Sequence, residues 1–343
     1  MYRGNYLHRC LEALMSIERG GETVYNDNFP FFTEEQLKEK IHSAFLAYEA
    51  SEIGGSYGKT PSYYAELEQY ERTVLDNVLM IQKEFTDSRF VPELFEYSLT
   101  DSDGESLLKI KISDELTVEM RGSIDRVDTF TDSDGKRYVR IVDYKTGSTK
   151  LELGALYHGI NLQMLIYLLA LTDSGEREPA GVQYAHIKEA SAERLPDSDS
   201  DADAVMAERL KTFKPDGLFV GSDRLLQALN RTLGGAFTPF NFNKDMSVAA
   251  KGRQPVTESF LRASEEFARR KIVSLAEKIS KGKVPASPCI KEKFDPCTNC
   301  DYYPVCGKML HGDPDEVRPE DKKNFISEIE KIENETKGAD TDA

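Results

Sequence analysis

From Asn5 to Arg19 the apolar residues Leu7, Leu11, Leu14 and Met15 recur at the spacing of one helix face, predicting an amphipathic helix with His8 near its start. The same period returns over residues 33 to 50 and 62 to 85, on either side of the Gly-rich linker EIGGSYGKTP, so the first quarter reads as mostly helical. From Phe90 the pattern shortens to that of strands in FVPELFEYSL, LLKIKI, LTVEMRGSIDRVDTF and RYVRIVDYKT. The turns TDSDGE and TDSDGK flank these runs and make them an antiparallel meander of hairpins. Each turn reaches Gly three residues after its first Asp, where a calcium-binding EF-hand loop needs about five, so both read as plain hairpin turns. GINLQMLIYLLALT then predicts an apolar helix and AGVQYAHIK a strand. Helix, meander, helix and strand give an α/β fold class with a mixed sheet between helices.

Further on, PDSDSDADA (196 to 204) reads as a disordered acidic loop, and Glu258 to Lys281 as a long helix followed by a coil rich in Pro and Cys. The last thirty residues read as a solvated helix and a frayed tail. The expected organisation is one elaborated domain over 1–310: a helical part (1–88), a sheet core (89–190) and a helical, cysteine-bearing segment (205–310). A charged tail (311–343) follows, and no internal repeat is visible.

Composition narrows the partners. The chain has 343 residues, 39% of them hydrophobic, enough for a sizeable core. Lys plus Arg number 44 against 60 Asp plus Glu, a formal charge of -16, so any nucleic acid must follow a local basic groove. No signal-peptide pattern and no apolar run near 18 residues occurs, which points to a soluble cytoplasmic protein. Three of the five cysteines fall within ten residues, poor spacing for a disulfide framework and better suited to metal or cluster ligation.

The candidate chemistry lies on the meander. In RIVDYKTG, Asp143 and Lys145 are two apart on a strand and project to one face, and a hairpin-paired strand brings Asp125 of RGSIDRVD beside them. Clustered carboxylates repel one another unless a cation neutralises them, and Mg2+ (or Mn2+) suits such a site. A metal and a nearby Lys together serve phosphodiester hydrolysis. On spacing alone, a D-x-K triplet at a strand end is equally an exposed charge pair.

GSIDRVD, then IVDYKTG after a hairpin, then LQMLIY together resemble the RecB/AddB-type nuclease domains of the PD-(D/E)XK superfamily. The resemblance runs from about Gly4 to Gly307. It implies a restriction-endonuclease-like core, a mixed central sheet flanked by helices, with Asp125, Asp143 and Lys145 as the catalytic set. Gln163 and Tyr167 match that family's Q-x-x-x-Y helix, and Gly4 with His8 match its G-x-x-x-H helix, whose His is a metal ligand. The implied metal set is His8, Asp125 and Asp143. Asp128, three residues beyond Asp125, faces the other side of a regular strand and is left out.

Cys297, Cys300 and Cys306, spaced C-x2-C-x5-C, suit an iron–sulfur cluster or zinc, either of which normally takes four ligands. The resemblance favours a [4Fe-4S] cluster whose first cysteine precedes the G-x-x-x-H helix. The sequence begins only three residues before Gly4, so that ligand is expected to be missing, with Cys10 and Cys289 as weaker substitutes. The implied activity is a metal-dependent DNA exonuclease on single strands delivered by a helicase in recombination and double-strand break repair, beside an AddA-like helicase-nuclease subunit. A stand-alone CRISPR-associated RecB-like exonuclease and a truncated, non-catalytic DNA-binding remnant are the competing readings.

Overall fold

The computed structural model describes residues 2–55, 58–147, 149–187, 213–229, 237–243, 247–291, 295–306, 315–318 and 320–341. The first helix, α1 (Tyr2–Met15), buries the stripe its periodicity predicts: Leu7, Leu11, Leu14 and Met15 are all within 1% of full burial. It ends earlier than expected. Ser16–Arg19 (β1) and Glu22–Tyr25 (β2) form a hairpin around Gly20 and Gly21, whose φ angles of 67° and 90° suit a tight primed turn. Two adjacent glycines overrode the apolar period. Thr33 then caps α2 (Glu34–Glu52) in a reciprocal box with Gln36, and Thr60 with Pro61 opens α3 (Pro61–Asp87).

The chain divides into two compact units. The first comprises Met1–Ser98, Gly122–Lys150 and Ser174–Val256. Its centre is a mixed five-stranded sheet ordered β3 (Val91–Ser98), β6 (Ser123–Thr131), β7 (Arg137–Lys145), β8 (Glu178–His186) and β9 (Asp216–Phe219). Only β7 and β8 run parallel; the other pairs are antiparallel. Both are buried along nearly their whole length, as central strands covered on both faces must be. The paired register of β6 and β7 runs from Thr131↔Arg137 to Arg126↔Val142 and ends one residue short of Asp125 and Asp143. β7 stays paired to β8 through Lys145↔His186. The helices α1, α2 and α3 share one core with Phe95, Val142 and Tyr144 of the sheet, and the short helix α6 (Asp223–Leu229) belongs to the same unit.

The second unit comprises Leu99–Arg121, Leu151–Asp173 and Thr257–Ala343. It corrects the single meander expected from sequence. Among the described residues, LKIK (β4, Leu108–Lys111) and TVEM (β5, Thr117–Met120) pair only with each other, because LTVEMRGSIDRVDTF breaks at Arg121 and Gly122. Leu108 and Ile110 alternate with exposed lysines, so β4 has one apolar face. That face packs with Leu169 of α5 (Gln163–Thr172) and Ile272 of α7 (Glu258–Ser280). The unit also holds α4 (Leu153–Tyr157), the short helix α8 (Tyr303–Cys306), and β10 (Cys289–Ile290) parallel to β11 (Asp315–Glu316).

The expected charged tail is in fact a docked helix, α9 (Asp321–Thr341). Phe325, Ile329 and Ile332, spaced i, i+4 and i+7 among charges, are buried, and the Phe325 ring lies 5.1 Å from that of Phe267 on α7. The Asp321 carboxylate meets His158 Nε2 at 2.7 Å. The acidic loop at 196–204 lies outside the described residues.

Candidate active site

Where β6 and β7 part, their side chains converge with α1. His8, nearly two turns into α1, points Nδ1 at Asp125 Oδ1 (3.4 Å) and at Glu96 Oε1 (3.1 Å). Asp125 Oδ2 accepts the Tyr144 backbone N–H at 2.7 Å, so the carboxylate of one strand takes the amide freed by the end of the ladder on the other. Asp143 is 3% exposed, and its Oδ2 pairs with Lys145 Nζ at 2.6 Å. The Lys145 ammonium also sits 5.5 Å from the centre of the Tyr184 ring on β8.

These charges answer one another. Burial, and then the neighbouring charge of Asp125, lift the Asp143 carboxyl to about 6, while Lys145 and His8 pull the other way. For His8, burial opposes the charged ring, but hydrogen bonds to Asp125 and Glu96 overcome it and raise the imidazole to about 10. At neutral pH the His8 imidazolium, with Lys145, therefore offsets only part of the charge of the three carboxylates Glu96, Asp125 and Asp143, which leaves a negative site suited to a cation.

Glu96 is the site residue the sequence reading missed. It stands across from Asp125, between the pairs Phe95↔Arg126 and Tyr97↔Ile124, at a φ of 42°. A non-glycine residue held there costs roughly 1–2 kcal/mol, the kind of strain that collects at functional sites. Nothing in VPELFEYS announces that backbone twist. The available signal was an acidic residue within an otherwise strand-like run.

Among the described residues, His8, Glu96 and Asp125 form the one group whose three ligand atoms all lie within 4.8 Å of one another. Asp143 is not in that triplet, since its carboxylate turns to Lys145 on the same strand face. An imidazole and a carboxylate pair, with a second aspartate on the next strand, fit a divalent cation. Asp128 turns to the reverse face, fully buried between Arg140 (2.7 Å) and Arg126 (3.0 Å).

The remaining candidates belong to the second unit. Gln163 opens α5 and donates from Nε2 to the Tyr167 hydroxyl at 2.8 Å. Cys297, Cys300 and Cys306 are free thiols on a run of turns ending in α8, where the Cys300 amide bonds the Cys297 carbonyl and the Cys306 amide that of Tyr302. They do not form a triplet close enough to share a single ion such as zinc. Cys10 lies fully buried in the core of the first unit, and burial pushes its thiol up to about 12, which disfavours the thiolate that ligation requires.

A mixed five-stranded sheet, with carboxylates and a lysine gathered where two of its strands part, is the frame of the first unit. The model of the PD-(D/E)XK nuclease superfamily matches residues 2–307, and the chain belongs to that superfamily. Its members generally use divalent metal ions. The chain is also similar to curated proteins whose names make them the B-type subunits of ATP-dependent helicase/deoxyribonucleases. That of Thermoanaerobacter sp. (strain X514) is 28% identical over 254 residues, which are 72% of this chain and 22% of that protein. That of Staphylococcus aureus (strain JH9) is 28% identical over 291 residues, 80% of this chain and 25% of that one. The chain thus spans about a quarter of the length of the curated relatives it matches. No described helix is long and apolar enough to cross a membrane.

Proposed function

We propose that this chain is a Mg2+-dependent DNA exonuclease that acts on single strands delivered by a helicase in recombination and double-strand break repair. The observation that carries the reading is the meeting of His8, Glu96 and Asp125 beside Asp143 and Lys145 at the split end of β6 and β7. His8, Asp125 and Asp143 hold the metal, with Glu96 as a further ligand from β3. A bound Mg2+ acidifies water and neutralises charge on the scissile phosphate. Lys145, fixed by Asp143, presents its ammonium to the attacking water and to the phosphate oxygens. Burial of Asp143 strengthens its pairing with Lys145, while His8, Glu96 and Lys145 stay open enough to meet water and phosphate. Gln163 and Tyr167 shape the DNA-facing side, their mutual hydrogen bond fixing both side chains.

The likeness to the B-type helicase/deoxyribonuclease subunits favours an AddA-like helicase-nuclease subunit as partner. The C-x2-C-x5-C spacing of Cys297, Cys300 and Cys306 is the ground for a [4Fe-4S] cluster there, which iron and sulfide analysis of the purified protein checks. The activity itself is tested by Mg2+-dependent cleavage of end-labelled single-stranded DNA by wild type and Asp143→Ala. Loss of cleavage in the variant is expected, and equal cleavage by both defeats the reading.

A further inference from the structure

Behind the carboxylates, on the reverse face of the sheet, lies a charged cluster that the proposed hydrolysis does not use. Arg126 and Arg140 are both essentially fully buried, as are Asp128 and Glu84. Asp128 of β6 meets Arg126 Nε at 2.9 Å and Arg140 Nε at 2.7 Å, and Glu84 of α3 meets Arg140 Nη2 at 2.7 Å and Arg126 Nη2 at 3.3 Å. Two cations and two anions cancel, so the cluster needs no counter-ion from outside. Desolvation makes such a cluster costly, and apolar side chains of the same volume are often as stable. Stability alone therefore does not account for it.

One bond leaves the quartet. Arg126 Nη1 donates to the Tyr144 hydroxyl at 2.6 Å. Arg126 directly follows Asp125, and Tyr144 lies between Asp143 and Lys145. Backbone pairing of β6 and β7 has already stopped at Arg126↔Val142, so no β6–β7 backbone pair joins Asp125 to Asp143 directly. Tyr144 supplies that link from both faces of the sheet. Its amide holds the Asp125 carboxylate at 2.7 Å on the front, and its hydroxyl is held by Arg126 on the back. Its ring also lies edge-on to His8, with centroids 6.4 Å apart, and the hydroxyl reaches Met15 Sδ of the same helix at 3.9 Å.

We propose that Tyr144 and Arg126 are positioning residues for the metal site: a clasp that sets the distance between the carboxylates of β6 and β7 where the strands separate. Neither touches the ion. The proposal rests on the reading that His8, Asp125 and Asp143 bind a divalent cation. Removing a group that orients a metal ligand ordinarily costs about 10–100-fold in metal affinity.

The test is Mn2+ titration calorimetry on the full chain, with thermal melting of each variant as a check on folding. Wild type is expected to bind Mn2+ and Asp143→Asn to lose that site. Tyr144→Phe, which keeps the ring and removes the hydroxyl, is expected to weaken binding about tenfold. Arg126→Lys, which keeps the charge but cannot reach Tyr144, Asp128 and Glu84 together, is expected to do the same and replaces the Phe variant if that one does not fold. Val74→Ala, a cavity in the core that Tyr144 shares but one that leaves the hydrogen bonds of the clasp in place, is expected to lower the melting temperature with unchanged affinity. Wild-type affinity in both folded clasp variants overturns the clasp while leaving the metal site standing, and so does an equal loss in Val74→Ala. Wild-type affinity in Asp143→Asn, or no Mn2+ binding by wild type, overturns the metal site and the clasp with it.

Discussion

If His8 binds the metal, the ion has to displace a proton first. Hydrogen bonds to Asp125 and Glu96 outweigh burial and hold the ring protonated up to about pH 10, against an ordinary 6.5. That difference corresponds to at most about 5 kcal/mol of preference for the imidazolium. At pH 7 roughly one molecule in a thousand of the metal-free protein carries the neutral ring a metal can use, so apparent affinity is divided by about that factor. Each pH unit between 7 and 9 then strengthens Mn2+ or Mg2+ binding about tenfold, with about one proton released per ion. Below about pH 6 the dependence steepens, because Asp143 takes up a proton as well. Titration calorimetry at pH 6.5, 7.5 and 8.5, in buffers of different ionisation enthalpy, reads both the affinity and the proton count. His8→Gln is expected to abolish the slope between pH 7 and 9. Affinity independent of pH in wild type, or the same slope in His8→Gln, refutes the reasoning.

Three further outcomes follow from the packing. Arg140→Met leaves the buried Glu84 and Asp128 short of one cation and is expected to cost about 3–5 kcal/mol of stability, read by urea unfolding under far-UV circular dichroism because the chain has no Trp. Glu265 is raised to about 7 by burial, despite the Thr172 hydroxyl and two arginines that favour its charged form. The fold thus prefers the protonated acid, and stability falls as pH rises from about 4.5 to about 7. Glu265→Gln is expected to remove that fall, worth roughly 3 kcal/mol at pH 8, and an unchanged urea midpoint at pH 8 contradicts it. Phe325→Ala is expected to cost about 3–5 kcal/mol, and a loss below about 1 kcal/mol means that α9 is not docked.

Much of this architecture was legible because its signals are local. The helix stripes of α1, α2 and α3 and the apolar runs of β7 and β8 read directly as elements, and the nearness of Asp125, Asp143 and Lys145 follows from strand alternation plus a hairpin, while their catalytic reading rests on the family resemblance. What escaped depends on partners far along the chain. Glu96 meets His8 from 88 residues away, through a backbone twist with no sequence mark. Arg126, Asp128 and Arg140 look like surface charge until Glu84 and one another are placed against them. α9 was misread because charge count masked three apolar positions, and β4 with β5 because a continuous run of strand-forming residues hid the break at Arg121 and Gly122. Gln163 and Tyr167 are placed on one helix face, but their part in DNA binding rests on the family pattern.

The central claim is that one divalent ion sits where β6 and β7 part. Crystals of the full chain soaked in Mn2+ test it most directly through anomalous scattering. The expected result is a peak bonded to His8, Asp125 and Asp143, with Glu96 as a further ligand, that disappears in Asp143→Asn crystals. No peak at that point under saturating Mn2+, or a peak held by other residues, contradicts the account.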